Sequence, residues 1–104
     1  MTRTFHDPSP ALDGASLLIT GGTGSFGQEF TRTLLERYDP RRVIIFSRDE
    51  LKQSEMERTI PDDKRDRVRF FIGDVRDVER LELAMREIDY VVHVHDGFKN
   101  TKTL

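Results

Sequence analysis

The chain has no cysteine, which excludes a disulfide framework, a thiolate metal site and a cysteine nucleophile, and fits a reducing compartment. It has no apolar run near the ~20 residues that a bilayer-crossing helix needs. Asp7, Pro8, Pro10 and Asp13 interrupt the stretch where a signal peptide would carry its apolar core. A surplus of positive charge is missing too: 17 Lys and Arg against 19 Asp and Glu give a formal net charge of −2. That balance supplies no global field to draw nucleic acid or an anionic membrane, so neither is expected as a partner. The expected location is the cytoplasm.

What is present fits one domain of modest size, with 104 residues, 36% of them hydrophobic and 35% charged. Residues 1–14 read as a disordered leader, residues 15–94 as the folded unit, and residues 95–104 as a tail of different character. Within the folded unit, four short apolar runs recur at near-even spacing: Leu17-Leu18-Ile19, Val43-Ile44-Ile45-Phe46, residues 68–72, and Tyr90-Val91-Val92-His93-Val94. Runs apolar at nearly every position belong to strands covered on both faces, as in a parallel sheet between helices. Arg69 inside the third run places that strand nearer a sheet edge.

Between the first two runs, Phe26, Phe30, Leu34 and Tyr38 recur at every fourth position, the stripe of a helix packed by one face on a sheet. Pro40 ends it. A second helix is expected over 77–88, capped by Asp77 or Asp74, and a short, partly exposed one over 50–59. The charge run at 62–67 reads as a solvated loop. The fold class is therefore α/β: strands alternate with helices because parallel neighbours need right-handed helical crossovers.

The first strand runs into Thr20-Gly21-Gly22-Thr23-Gly24-Ser25-Phe26-Gly27, and the strongest helix opens out of that loop. A glycine-rich turn between strand and helix lets backbone amides approach a phosphate, and the helix N-terminus adds about half a positive charge. Gly21 suits the tight turn, Gly24 the close approach of a pyrophosphate, and Gly27 the packing of helix on strand. Thr23 and Ser25 add hydroxyl donors. The triphosphatase loop is excluded, because Gln28 and Glu29 follow Gly27 where Lys and Ser or Thr would be required.

The end of the second strand bears on which dinucleotide fits. A carboxylate there would hold the ribose hydroxyls of NAD, and a cation the extra phosphate of NADP. The residues are Ser47, Arg48, Asp49, Glu50, Leu51 and Lys52. A hydroxyl, a guanidinium fork and a second cation one turn later favour NADP, while Asp49 and Glu50 leave NAD open or serve the start of a helix. After the third strand, Asp74 can accept from the adenine amino group with Val75 packed on the ring, or cap the next helix. His93, His95 and Asp96 cluster near the end, where alternate strand positions make two ligands geometrically possible, but a third is not assured and no second cluster supports it, so no metal site is expected.

Together, T-G-G-T-G-S-F-G, S-R-D-E-L-K and F-F-I-G-D-V-R-D, in that order over about 17–93, resemble the extended short-chain dehydrogenase/reductases. More narrowly, they are similar to the inverting UDP-N-acetylglucosamine 4,6-dehydratases of pseudaminic-acid and polysaccharide biosynthesis. The resemblance implies a truncated Rossmann-like doubly wound sheet of about four strands, with residues 15–94 as the N-terminal half of an NADP-binding domain. It implies cofactor contacts from Thr23, Gly24, Ser25 and Phe26, from Ser47 through Lys52, and from Asp74 and Val75. The implied chemistry oxidises the sugar 4-hydroxyl, eliminates water and returns the hydride at the 6-position.

After His93 the chain departs from that family, which continues with alanines, leucine and lysine where His95, Asp96 and Gly97 stand. Family chemistry also uses a tyrosine with a lysine four residues on, the lysine easing removal of the phenolic proton. Here Arg42 follows Tyr38 at that spacing and Val94 follows Tyr90. The reading is thus a truncated or frame-shifted remnant, catalytically incomplete alone, with the UDP-sugar site outside it. The alternative is an interaction module docking, or self-associating, through a sheet edge left bare at 90–94.

Overall fold

A computed structural model describes residues 12–21 and 23–93. The elements follow one another as β1 (Ser16–Thr20), α1 (Ser25–Arg37), β2 (Arg42–Ser47), α2 (Glu50–Glu57), a 3₁₀ helix (Asp62–Arg67), β3 (Val68–Ile72), α3 (Val78–Ala84) and β4 (Tyr90–His93). All strand pairings are parallel, and the sheet runs β3-β2-β1-β4. This is the order of the first four strands of a Rossmann sheet.

Side chains alternate across each strand, so the continuous apolar runs feed two cores. Leu17, Ile19, Val43 and Ile45 pack on one face with Leu34 and Leu35 of α1 and Met56 of α2. Leu18, Ile44 and Phe46 pack on the other with Ala84 of α3, and Phe71 and Leu81 close around them. Burying each large side chain of this kind stabilises the fold by roughly 1.5–3 kcal/mol. Helices α1 and α2 thus cover one face and α3 the other. The chain switches face when it leaves edge strand β3 and returns beside β1, and the crevice of a doubly wound sheet opens where β1 and β4 diverge.

Several sequence expectations are corrected. The buried line of α1 is Gly27, Thr31, Leu34 and Leu35, and Phe26 is 49% exposed. Each step of four residues advances about 40° around a helix, so a stripe drawn through every fourth position slides off the buried face. The charge run at 62–67 is a 3₁₀ helix instead of an irregular loop. Lys64 Nζ donates to Leu35 O at 3.1 Å and Arg67 pairs with Asp39, which ties the run to the end of α1. Helix α3 stops at Ala84, short of the expected 88, and Glu87 turns through the left-handed region at φ 60° before β4. Asp77, and not Asp74, caps α3, accepting from Arg80 N.

Strand β3 does lie at an edge with Arg69 exposed, and β4 closes the opposite end of the described sheet. The expected leader at 1–14 is corrected at its end, where Leu12 packs against the core, Asp13 Oδ1 accepts from Asp39 N at 2.8 Å and Gly14 N donates to Asp39 O at 2.8 Å; its residues 1–11, Gly22, Val94 and the tail at 95–104, with His95 and Asp96, lie outside the described residues. No described helix is long and apolar enough to cross a membrane. Among the described residues, no group of three or more His, Cys, Asp or Glu could hold a metal ion.

Candidate functional site

At the carboxyl ends of the strands lies a cleft of about 910 Å³. Its floor begins at Gly21, whose φ of 71° is a backbone conformation that glycine adopts without penalty. Gly21 N donates to Phe46 O at 2.9 Å, which ties the glycine loop to β2 past the last strand pair. Thr23 is buried, and its hydroxyl donates to Ser47 Oγ at 3.3 Å. Gln28 Nε2 donates back to Thr23 O at 2.8 Å. Gly24 is the N-cap of α1, where no side chain caps the helix and the first turn has no acidic residue. Its terminal amides and positive dipole end suit an anion.

Ser47 Oγ is the hub of the next segment. Besides Thr23, it accepts from Asp49 N at 3.2 Å and from Gln53 Nε2 at 3.3 Å. The same Gln53 amide reaches Phe71 O at 3.1 Å, joining α2 to β3. Asp49 caps α2 by accepting from Lys52 N at 3.0 Å. Arg48 and Lys52 are exposed at the rim of the cleft.

Beyond β3, Gly73 N donates to Ser47 O at 2.9 Å and carries the chain to Asp74. The Arg76 guanidinium holds this carboxylate from Nη2 at 2.8 Å and from Nε at 3.2 Å. Arg76 N donates to its Oδ1 at 2.9 Å, and Arg48 Nη1 lies 3.5 Å from Oδ2, the oxygen that Arg76 Nη2 holds. The Arg76 guanidinium first, then its backbone N–H, and more weakly Arg48, hold the Asp74 carboxyl well below the usual carboxylate range. Across the crevice, His93 Nδ1 lies 2.5 Å from the buried Thr20 Oγ1.

The cleft brings together most of the residues that the sequence singles out. Gly21, Thr23 and Gly24 line it from the loop, Ser47, Arg48, Asp49, Glu50 and Lys52 from the turn after β2, and Asp74 and Val75 from beyond β3. Ser25, Phe26, Gly27 and Leu51 do not line it. Gly27 is buried in the first turn of α1, Phe26 stacks beside Phe30, and Leu51 is exposed. Phe46, Gly73, Arg76 and His93 also line the cleft, though sequence reasoning gave them no place in the site. For Gly73 and Arg76 a signal was available, since both flank Asp74 and Val75 in the motif after the third strand.

A model of the family described as polysaccharide biosynthesis protein matches residues 17–97. The chain is 56% identical over 82 residues to the UDP-N-acetylglucosamine 4,6-dehydratase (inverting) of Campylobacter jejuni subsp. jejuni serotype O:23/36 (strain 81-176), a match covering 79% of this chain and 24% of that protein. The X-ray structure of Pen from Bacillus thuringiensis superposes with a TM-score of 0.75 at 36% identity, over 86% of this chain and 27% of that one. The dTDP-glucose 4,6-dehydratase from Bacillus anthracis str. Ames, solved in complex with NAD, shares the fold with a TM-score of 0.67 at 24% identity, over 78% of this chain and 26% of that one. The chain spans about a quarter of the length of these curated relatives. Because the family model covers most of the sequence, strand by strand through the sheet that builds the cleft, the chain belongs to the polysaccharide biosynthesis protein family.

Proposed function

We propose that the cleft binds NADP, and that the chain supplies the dinucleotide-binding part of a UDP-N-acetylglucosamine 4,6-dehydratase. The observation that carries this reading is the meeting, in one cleft, of an uncapped helix N-terminus with a guanidinium and an ammonium from the turn after β2. The pyrophosphate would lie on the glycine loop and the amides of Ser25, Phe26 and Gly27, with the Thr23 and Ser25 hydroxyls beside it. Adenine would lie between Val75 and the turn after β2, with Asp74 accepting from its amino group.

The phosphate of NADP is favoured over the bare ribose of NAD by the way the nearest carboxylate is used. Asp49 already accepts the amide of Lys52 as a helix cap, while Arg48 and Lys52 extend to the rim. Glu50, exposed in the first turn of α2, supports that helix through its dipole. Bound NADP would carry the hydride between sugar carbons in the family chemistry. No tyrosine of this sequence has a lysine four residues on, so we assign turnover to groups that these 104 residues do not supply.

The test is calorimetric titration of the chain with NADP and NAD, with Arg48→Ala as the control. Saturable binding that prefers NADP and weakens in the variant is the expected result. A folded chain that binds neither dinucleotide overturns the reading. It would then shift weight to a docking module, for which the exposure of Tyr90 and Val91 on the terminal strand β4 is the motivating observation. Size-exclusion chromatography would then look for a dimer or discrete complex.

A further inference from the structure

We propose that Arg76 is a specificity-determining residue of the cleft, acting with Arg48 as a two-pronged clamp on the 2′-phosphate of the dinucleotide, with Asp74 as the carboxylate that gathers the two guanidiniums. The inference rests on the reading of the cleft as an NADP site and adds to it a cation that neither the glycine loop nor the turn after β2 supplies.

Charge balance is the first argument. The ionised groups lining the cleft are Arg48, Lys52 and Arg76 against Asp49, Glu50 and Asp74. Without Arg76 the carboxylates outnumber the cations, and a phosphomonoester carrying nearly two negative charges would enter a net negative cleft. With Arg76 the lining is balanced, and the dipole of α1 tips it positive.

Geometry is the second. Arg76 Nη2 and Arg48 Nη1 approach the same atom, Asp74 Oδ2, at 2.8 and 3.5 Å. The two guanidiniums therefore stand no further apart than those distances combined, on elements following different strands. Both are solvent-facing, at 80% and 70% exposure, so each can turn to a ligand without breaking the core. A phosphomonoester offers three acceptor oxygens to two planar donor forks, a better match than one carboxylate shared between them.

The exchange also explains how Asp74 comes to accept from adenine. Its two oxygens take two contacts from Arg76 Nε, one from Arg76 Nη2 and one from Arg76 N, with Arg48 beside them, leaving little lone-pair capacity for an amino group. When the 2′-phosphate draws the guanidiniums toward itself, lone pairs of Asp74 are released for the adenine edge. Recognition of the phosphate and of the base are coupled through one residue.

The experiment titrates the full chain and its Arg76→Ala, Arg76→Gln and Arg76→Lys variants with NADP and with NAD. Arg76→Ala and Arg76→Gln are expected to weaken NADP about tenfold, the loss of one charge-assisted contact, while NAD stays within about twofold or tightens. Arg76→Lys recovers part of the preference. An NADP-to-NAD affinity ratio unchanged in Arg76→Gln overturns the proposal, as does an equal loss for both dinucleotides, which would mean that Arg76 acts only by holding Asp74. A wild-type chain with no preference for NADP overturns the cofactor reading itself, and that result is visible before any substitution is made.

Discussion

Thr23 and Ser47 join hydroxyl to hydroxyl at 3.3 Å, so the glycine loop and the turn after β2 are held as one unit. Ser47 also accepts from Asp49 N and Gln53 Nε2, whereas Thr23 makes the one side-chain bond. Thr23→Val keeps the buried shape and removes that bond, for a cost of about 1 kcal/mol. Ser47→Ala removes the acceptor shared by the Thr23 hydroxyl, Asp49 N and Gln53 Nε2, of which Gln53 keeps Phe71 O, and should cost more, about 1–3 kcal/mol. Urea denaturation of both variants checks the ranking, and a Thr23→Val chain as unstable as Ser47→Ala would show that the hub is not Ser47.

Thr31 lies 1% exposed on the sheet-facing side of α1, and its hydroxyl has no hydrogen-bond partner among the described residues. Valine has nearly the same shape and helix preference but needs no partner. Thr31→Val should therefore leave stability unchanged or raise it by about 1 kcal/mol, the relief of a desolvated polar group. A drop in the denaturation midpoint would mean that the hydroxyl is satisfied in solution.

How far the sequence alone reaches depends on whether the information is local. The strands and the glycine loop are readable because apolar runs, glycine spacing and the following helix all lie within a few residues of one another. The face of α1 is not legible locally because Phe26 and Phe30 are equally apolar, yet Phe26 is half exposed and Phe30 packs against the core. The approach of His93 to Thr20 follows from the parallel register that sets those residues side by side. That register depends on the return of β4 beside β1, which no local pattern encodes. The convergence of Arg48 and Arg76 on Asp74 is likewise a product of two strands ending side by side, β2 next to β3.

Gly73 is required by packing. A Cβ there would stand 2.7 Å from Phe46 Cζ and 2.9 Å from Arg80 Cγ. Arg80 is exposed and can give way, but Phe46 is fully buried and stacked on Phe71. Gly73→Ala should destabilise the chain by about 1–3 kcal/mol through overpacking, and should displace Asp74 enough to weaken dinucleotide binding. Denaturation and calorimetry on the same variant test both halves. A midpoint equal to wild type would mean that the Phe46 ring has room to shift.

Acid should separate the two dinucleotides. The Asp74 carboxyl is held well below its ordinary value by the Arg76 guanidinium and amide, so it stays ionised throughout pH 5–8. A carboxylate with a depressed folded-state pKa adds stability that is fully present above its unfolded pKa of about 3.9 and is lost as pH falls through the folded value, so only the loss lies below this range and stability from Asp74 is constant across it. A 2′-phosphomonoester, in contrast, passes from dianion to monoanion near pH 6. Between about pH 7.5 and 5.5 it loses charge, and its attraction to Arg48, Lys52 and Arg76 falls. His93 lines the same cleft and would face either dinucleotide. The quantity to measure is therefore the ratio of NADP to NAD affinity across that range. It should fall several-fold toward acid pH and flatten in Arg48→Ala, and a ratio independent of pH would remove the phosphate from contact with these cations.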